Sequence, residues 1–129
     1  MYGFGTRLNL PFGTVLDKVT AALKAEGFGV LTDIDVQATL KAKLNAEMQP
    51  YRILGACNPP MAHRALETDP EIGLLLPCNV VVRQLPDHSV HVSFMDPAAV
   101  LQLVNHPGID ELAREVKTRL QRVCDSLNN

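Results

Sequence analysis

Two short segments of the chain each place a cysteine and an asparagine beside a proline. They are Cys57-Asn58-Pro59 and Pro77-Cys78-Asn79. A cysteine thiolate attacks electrophiles, exchanges with disulfides and binds soft metal ions, and an asparagine amide both donates and accepts hydrogen bonds. The pattern therefore predicts a thiol-containing site, with Cys57, Asn58, Cys78 and Asn79 as candidate ligand-binding residues.

The two cysteines differ in their local context. Asn58 is a good helix N-cap and Pro59 suits the first helical position. Cys57 is thus expected at the N-terminal end of a helix, where unpaired backbone N–H groups favour a thiolate. Cys78 instead precedes three valines at 80–82, which indicate the start of a strand. If these two strands are neighbours, the thiols meet at one edge of the sheet.

A structural interpretation of the cysteines stands beside the chemical one. Unpaired cysteines are among the most buried residue types and often pack as small hydrophobic side chains. Under this interpretation Cys57 and Cys78 belong to the core, and the neighbouring asparagines cap a helix or close a turn. Cys124 fits it best, because it lies next to an apolar helical stripe.

A soft-metal site is an alternative use of Cys57 and Cys78. Met61, His63 and Met95 are further soft or basic ligands, and thiolate with thioether suits an ion such as Cu(I). The spacings C-x-x-C and H-E-x-x-H, which mark many zinc sites, do not occur in the sequence. The sequence therefore identifies no cofactor.

Other catalytic motifs are missing from the sequence. It contains no nucleophile elbow, no P-loop and no dinucleotide fingerprint. Asp96 is a further ligand-binding candidate, although Asp96 followed by Pro97 also fits the cap and first position of a short helix over 98–104.

Composition restricts the class of protein. The chain has 129 residues, 47% of them hydrophobic, and a formal net charge of −2, which is typical of a single globular domain over residues 1–129. The sequence contains no run of Lys or Arg, so we expect no binding to nucleic acid or to a membrane surface. Three cysteines without a recognisable leader or a long apolar segment predict reduced thiols and a cytoplasmic location.

Hydrophobic periodicity predicts the elements. A period of two indicates strands near the N-terminus, at "FGVLTDIDV", at "YRILGAC" and in a hairpin around Pro86. In the second strand, Val30, Thr32, Ile34 and Val36 are expected on one face. Helical spacing indicates helices over about 12–26, 59–68 and from Ile109 to the end, and a short amphipathic helix with Val36, Leu40 and Leu44 on one stripe.

The order β-α-β-α-β-α-β-β-α predicts an α+β fold. About five strands would form a mainly antiparallel or mixed sheet with helices packed on one face. Four basic residues, Arg7, Arg52, Arg83 and His91, are candidates for the polar face. If they lie together, that face could bind an anion, bury against a second subunit or stay solvated.

The chain resembles a known family over nearly its whole length. The segments "GFGVLTDIDV", "YRILGACNPPMAHRALETDPEIGLLLPCNVVV" and "VSFMDP" are similar to the bacterial and archaeal family of domain of unknown function 302. The residues that match its signature are Cys57, Asn58, Pro59, Leu76, Pro77, Cys78, Asn79, Asp96 and Pro97. The resemblance implies a compact α+β domain that forms homodimers. It implies no activity, substrate or catalytic residue.

Three functional hypotheses follow. The first is a non-catalytic binding or sensing domain with a Cys-Asn pocket for a small ligand or a soft metal. The second is a thiol-dependent redox or nucleophilic enzyme with Cys57 as nucleophile and Cys78 as resolving thiol. The third is a structural dimerisation module with inert cysteines. No general base lies beside Cys57 in the sequence, which favours the first hypothesis.

Overall fold

The computed structural model describes residues 1–128 of the chain. Its β-strands are β1 (Gly3–Leu8), β2 (Gly29–Asp35), β3 (Tyr51–Cys57), β4 (Cys78–Gln84) and β5 (Val90–Met95). Its α-helices are α1 (Phe12–Ala25), α2 (Val36–Leu44), α3 (Pro59–Thr68), α4 (Pro97–Val100) and α5 (Pro107–Ser126). Two 3-10 helices, Pro70–Leu75 and Leu101–Val104, lie between them. The predicted α+β fold and the order of its elements are confirmed.

The strands form one sheet in the order β1-β5-β4-β3-β2. Every pairing between neighbours within residues 1–128 is antiparallel, which decides between the antiparallel and mixed sheets expected from the sequence. The strands β3 and β4 are neighbours, as the convergence of the two thiols requires. Between them in the chain come α3 and the 3-10 helix Pro70–Leu75.

The core lies between one face of the sheet and the helices. In β5 the alternating residues Val90, Val92 and Phe94 are buried, as their period of two predicts. Every residue of the stripe predicted for the last helix is buried: Ile109, Leu112, Val116, Leu120 and Val123 in α5, and Leu127 directly after it. These residues belong to one hydrophobic cluster that also contains Cys78 and Cys124. The helices therefore cover one face of the sheet.

The opposite face of the sheet is not covered by any helix of the described part of the chain, and we call it the open face. One cross-strand row on it runs Gly5, Ser93, Val81, Ile53, Ile34. These side chains alternate with the buried ones, and Ile34 is 48% exposed. The open face is thus a mixed surface of apolar and polar side chains.

The second strand departs from the simple alternation that its sequence predicts. The register shifts between Val30 and Thr32, so Leu31 falls at an irregularity and is largely exposed. The strand also ends before Val36, because the Asp35 side chain accepts a hydrogen bond from the Ala38 N–H at 2.9 Å and caps α2. The predicted stripe of Val36, Leu40 and Leu44 lies within α2, but none of the residues of this helix is buried.

Within the described residues, no helix combines the length and the apolar character needed to cross a membrane.

Candidate functional site

A pocket of about 350 Å³ lies where β3 ends and β4 begins. Its walls come from both of these strands, the turn before β2, α3, α5 and the segment around Pro77. Most of the side chains that line it are apolar, including Phe28, Met61, Ala65, Leu76, Leu112 and Val116. Among the described residues, its polar lining consists of Thr32, Asn58 and the two thiols of Cys57 and Cys78. The two cysteine segments predicted from the sequence therefore contribute to one pocket.

Asn58 holds one end of the pocket as a structural cap. Its Oδ1 accepts a hydrogen bond from the Met61 N–H at 3.2 Å, and Pro59 occupies the first turn of α3. The predicted N-cap is confirmed. Asn58 is 7% exposed, and its side-chain oxygen already accepts the hydrogen bond that caps α3. The main role of this side chain is therefore structural.

The turn after α1 packs against this cap. Gly27 has φ of 86°, and a Cβ there would lie 2.9 Å from Nδ2 of Asn58. Arg119 of α5 donates a hydrogen bond to the carbonyl oxygen of Glu26 at 3.2 Å, and Arg122 forms an ion pair with the Glu26 carboxylate at 2.8 Å. Residues from α1, α3 and α5 thus meet at this end of the pocket.

Burial keeps both thiols of the pocket in the neutral form. It raises the pKa of Cys78 to about 11, and the nearby Cys57 adds to this increase. Burial also raises the pKa of Cys57. The sequence predicts that the helix N-terminus favours a thiolate at Cys57, but loss of solvation shifts the pKa in the opposite direction. Both cysteines are therefore mainly thiols at neutral pH.

The strand register sets the relative orientation of the two cysteines. Ala56 lies directly opposite Cys78, and Cys57 pairs on its other side with Gly29. Since opposite residues share a face and successive residues alternate, Cys57 is out of phase with Cys78 by one position. The two residues line the same pocket, but the register does not place them as a facing pair.

A close contact fixes the wall of the pocket beside Cys78. A Cβ at Gly55 would lie 2.8 Å from Cγ of Pro77. The same Cβ would lie 2.2 Å from Oγ1 of Thr32. The segment that leads into β4, which includes a cis peptide bond between Leu76 and Pro77, therefore rests directly on the backbone of β3. A glycine inside a strand pattern is the sequence signal that could have predicted this approach.

Two of the predicted candidates lie outside the pocket lining. Asn79 pairs with Gly55 across the strands and is exposed. Asp96 caps α4 by accepting hydrogen bonds from the N–H groups of Ala98 and Ala99, and it forms a 2.9 Å ion pair with Lys117. Burial opposes ionisation of Asp96, but Lys117 and the backbone donors outweigh it and lower its pKa.

The four basic residues expected on the polar face separate into two groups. Arg7, His91 and Arg83 form a cross-strand row on the open face. Arg52 instead lies opposite Asp35 and Val82 on the covered side, where it pairs with Asp33 at 2.9 Å and with Asp35 at 3.4 Å. Three of the four therefore lie together.

Most of the pocket lining was not predicted. Phe28, Thr32, Leu112 and Val116 come from elements far from either cysteine in the sequence. Their apolar character signals a core position, and nothing in a single sequence distinguishes the wall of a pocket from the interior of a core.

The fold and the pocket define a small α+β protein with a mainly apolar cavity at the end of an antiparallel sheet. The chain belongs to the family described as Domain of unknown function DUF302, whose model matches residues 4–127. It is similar to the crystal structure of an uncharacterized conserved protein DUF302 from Bacillus stearothermophilus, with 29% sequence identity, a TM-score of 0.90 and 97% of each chain covered. No curated protein matches the chain.

Proposed function

We propose that this protein is a non-catalytic binding or sensing domain whose pocket takes one small, uncharged and largely apolar ligand. The observation that carries the proposal is a cavity of about 350 Å³ to whose lining residues 1–128 contribute no Asp, Glu, Lys, Arg or His. A charged group placed there would lose its hydration without gaining a partner. An apolar group would gain from leaving water.

The size of the pocket limits the ligand. An apolar cavity of about 150 Å³ accommodates one benzene molecule, so the present volume of about 350 Å³ suits a ligand of about two to three rings, some of them fused, or a medium-length alkyl chain. Binding pockets for small molecules are mostly apolar with a few placed polar groups. Here those groups are the thiols of Cys57 and Cys78 and the hydroxyl of Thr32.

The two other uses of the cysteines have less support. A thiol enzyme needs a thiolate and a group to accept its proton, whereas burial raises both pKa values and the lining supplies no base. A soft ion would find two thiols and the thioether of Met61 along the same walls. Within residues 1–128, no group of three or more His, Cys, Asp or Glu side chains is arranged for a metal ion.

The homodimer and the cytoplasmic location stay predictions. The mass of the native protein in solution, measured by sedimentation equilibrium, tests the first. Localisation of the tagged full chain tests the second.

A pair of dyes with one ring skeleton tests the proposed function. The uncharged dye N-phenyl-1-naphthylamine fluoresces strongly in apolar surroundings, and its 8-sulfonate adds one charge. We expect the uncharged dye to bind saturably and at least about tenfold more tightly than the sulfonate, because a buried unpaired charge is costly. The proposal is contradicted if the uncharged dye does not saturate, or if sulfonate that the uncharged dye displaces binds as tightly as the uncharged dye itself. Sulfonate that the uncharged dye does not displace is bound at another site.

Matched variants locate the binding. Ala62 lines the pocket from α3, so Ala62→Phe should fill part of it and weaken binding of the uncharged dye. Ala42 is exposed on α2, and Ala42→Phe is the control that adds the same side chain elsewhere. If both variants bind like the wild type while keeping its thermal unfolding temperature, the dye site is not this pocket.

A further inference from the structure

A row of three nitrogen-bearing side chains crosses the open face, away from the pocket. His91 of β5 lies directly opposite Arg7 of β1 and directly opposite Arg83 of β4. Directly opposite residues of an antiparallel pair share a face and have Cβ atoms about 5 Å apart. The two guanidinium groups therefore belong to neighbouring positions on either side of one imidazole.

The positive charge of this row is only partly balanced. Arg7 is 3.7 Å from the carboxylate of Asp87 in the β4–β5 turn, and both side chains are more than half exposed. No ion pair or hydrogen bond involves the Arg83 side chain within the described part of the chain. Tyr51 of β3 follows Arg83 in the same row.

His91 is held in place without a partner for one of its nitrogens. Its ring lies over β1, where a Cβ at Gly5 would be 3.1 Å from Cε1. Its Nδ1 is buried and has no hydrogen-bond partner among residues 1–128. Burial and the nearby Arg83 lower the pKa of His91. The imidazole is therefore mainly neutral at pH 7, and its protonated form is favoured only when an anion lies nearby.

We propose that Arg83, Arg7 and His91 form an oxyanion-binding site on the open face, for a ligand that carries a carboxylate or a phosphate group. Adjacent strands are about 4.8 Å apart, so the α-carbons of the two arginines are separated by about 10 Å, a span that two long side chains can close around one anion. Guanidinium groups match carboxylate and phosphate oxygens with paired hydrogen bonds. An anion there also favours the protonated form of His91.

Sulfate is the probe for the first test, because it keeps its charge over the pH range in which His91 titrates. The imidazole resonances of the full chain are followed by NMR from pH 5 to 8 in sulfate and in chloride at equal ionic strength. We expect sulfate to raise the pKa of His91 saturably and chloride to have little effect. Equal shifts in the two salts overturn the proposal, because screening alone would then explain them.

Variants assign the effect to the row. Arg83→Gln should raise the pKa of His91 in the absence of sulfate, since a neighbouring positive charge is removed, and should weaken sulfate binding about tenfold or more, which is what loss of a charge-assisted hydrogen bond costs. Arg64→Gln is the control, because Arg64 pairs with Glu115 on the helix side. Equal loss of binding in both variants overturns the proposal.

Two further ligands identify the chemistry. Acetate and dimethyl phosphate, which each carry one negative charge, are titrated into the protein at a fixed pH of about 7, and tighter binding of one over the other assigns the site to carboxylates or to phosphates. The apolar dye reports on the pocket and sulfate on the open face, so either proposal can fail while the other stands.

Discussion

The contact between Gly55 and the loop that precedes β4 makes a quantitative prediction. In Gly55→Ala the new methyl group would lie 2.2 Å from Oγ1 of Thr32 and 2.8 Å from Cγ of Pro77. The side chain of Thr32 can rotate away from the new methyl group, but the ring of Pro77 cannot. Either β3 or the loop that contains Pro77 must therefore shift. Overpacking of this kind costs about 1–3 kcal/mol. Alanine also reduces the conformational freedom of the unfolded chain, which offsets about 0.4–1 kcal/mol of this loss of stability.

The expected net loss for Gly55→Ala is about 1–2 kcal/mol, which corresponds to a decrease in Tm of about 3–8 °C for a chain of this size. Urea unfolding followed by circular dichroism measures it. Gly13→Ala is the matched control, because Gly13 lies in α1 and, apart from its chain neighbours and the backbone of its own helix, no atom lies within 4 Å of the added methyl. We expect that variant to be more stable by about 0.5–1 kcal/mol.

A double variant separates the two contacts. Thr32→Ala removes the nearer of the two atoms, so Thr32→Ala/Gly55→Ala should lose less stability than the sum of the single variants. If Gly55→Ala is as stable as the wild type while Gly13→Ala behaves as expected, the loop does not rest on β3 as described.

Three other predictions concern the pocket. Because burial raises the pKa of Cys78 to about 11, its contribution to stability is complete below the unfolded value near 9 and is lost as the pH rises toward 11. The free energy of unfolding should fall by up to about 2–3 kcal/mol over that range, and the fall should be smaller in Cys78→Ala. Cys57 should react with iodoacetamide before Cys78 does, and with an apparent pKa above that of a free thiol. An apparent pKa below that of free cysteine would show that burial does not determine the protonation of Cys57. Asn58→Ala should destabilise the fold by about 1–2 kcal/mol through loss of the α3 cap, whereas Asn58→Asp, which keeps an acceptor oxygen, should lose less, and urea unfolding of both variants measures the difference.

The elements that local chemistry specifies could be predicted from the sequence. The start of α3 follows from an asparagine and a proline in adjacent positions, and its bounds agree with the expected 59–68. The buried stripe of α5 follows from six apolar residues at helical spacing. In both cases neighbours within one or two turns determine the structure, so a single sequence contains the information.

The parts of the site that depend on distant contacts could not be predicted in this way. The irregularity between Val30 and Thr32 changes the pairing of β2, and neither Leu31 nor its two direct neighbours is a glycine that would mark it. The pKa of Cys57 depends on how far the folded chain buries its thiol. The position of a residue in the sequence does not reveal that burial. Asp96 and Asn79 share the family signature with Cys57 and yet lie outside the pocket lining, because a sequence motif does not state which face or end of a sheet each residue occupies.

The meeting of α1, α3 and α5 at Glu26 and Gly27 has a consequence for the order in which the site is completed during synthesis. The cap residue Asn58 leaves the ribosome early, but the arginines that hold the adjoining turn belong to α5, more than 60 residues later. Leu112 and Val116 supply a wall of the cavity from the same helix. A nascent chain that has released both cysteines therefore still lacks the wall that α5 supplies, and the pocket is complete only when α5 folds onto the sheet.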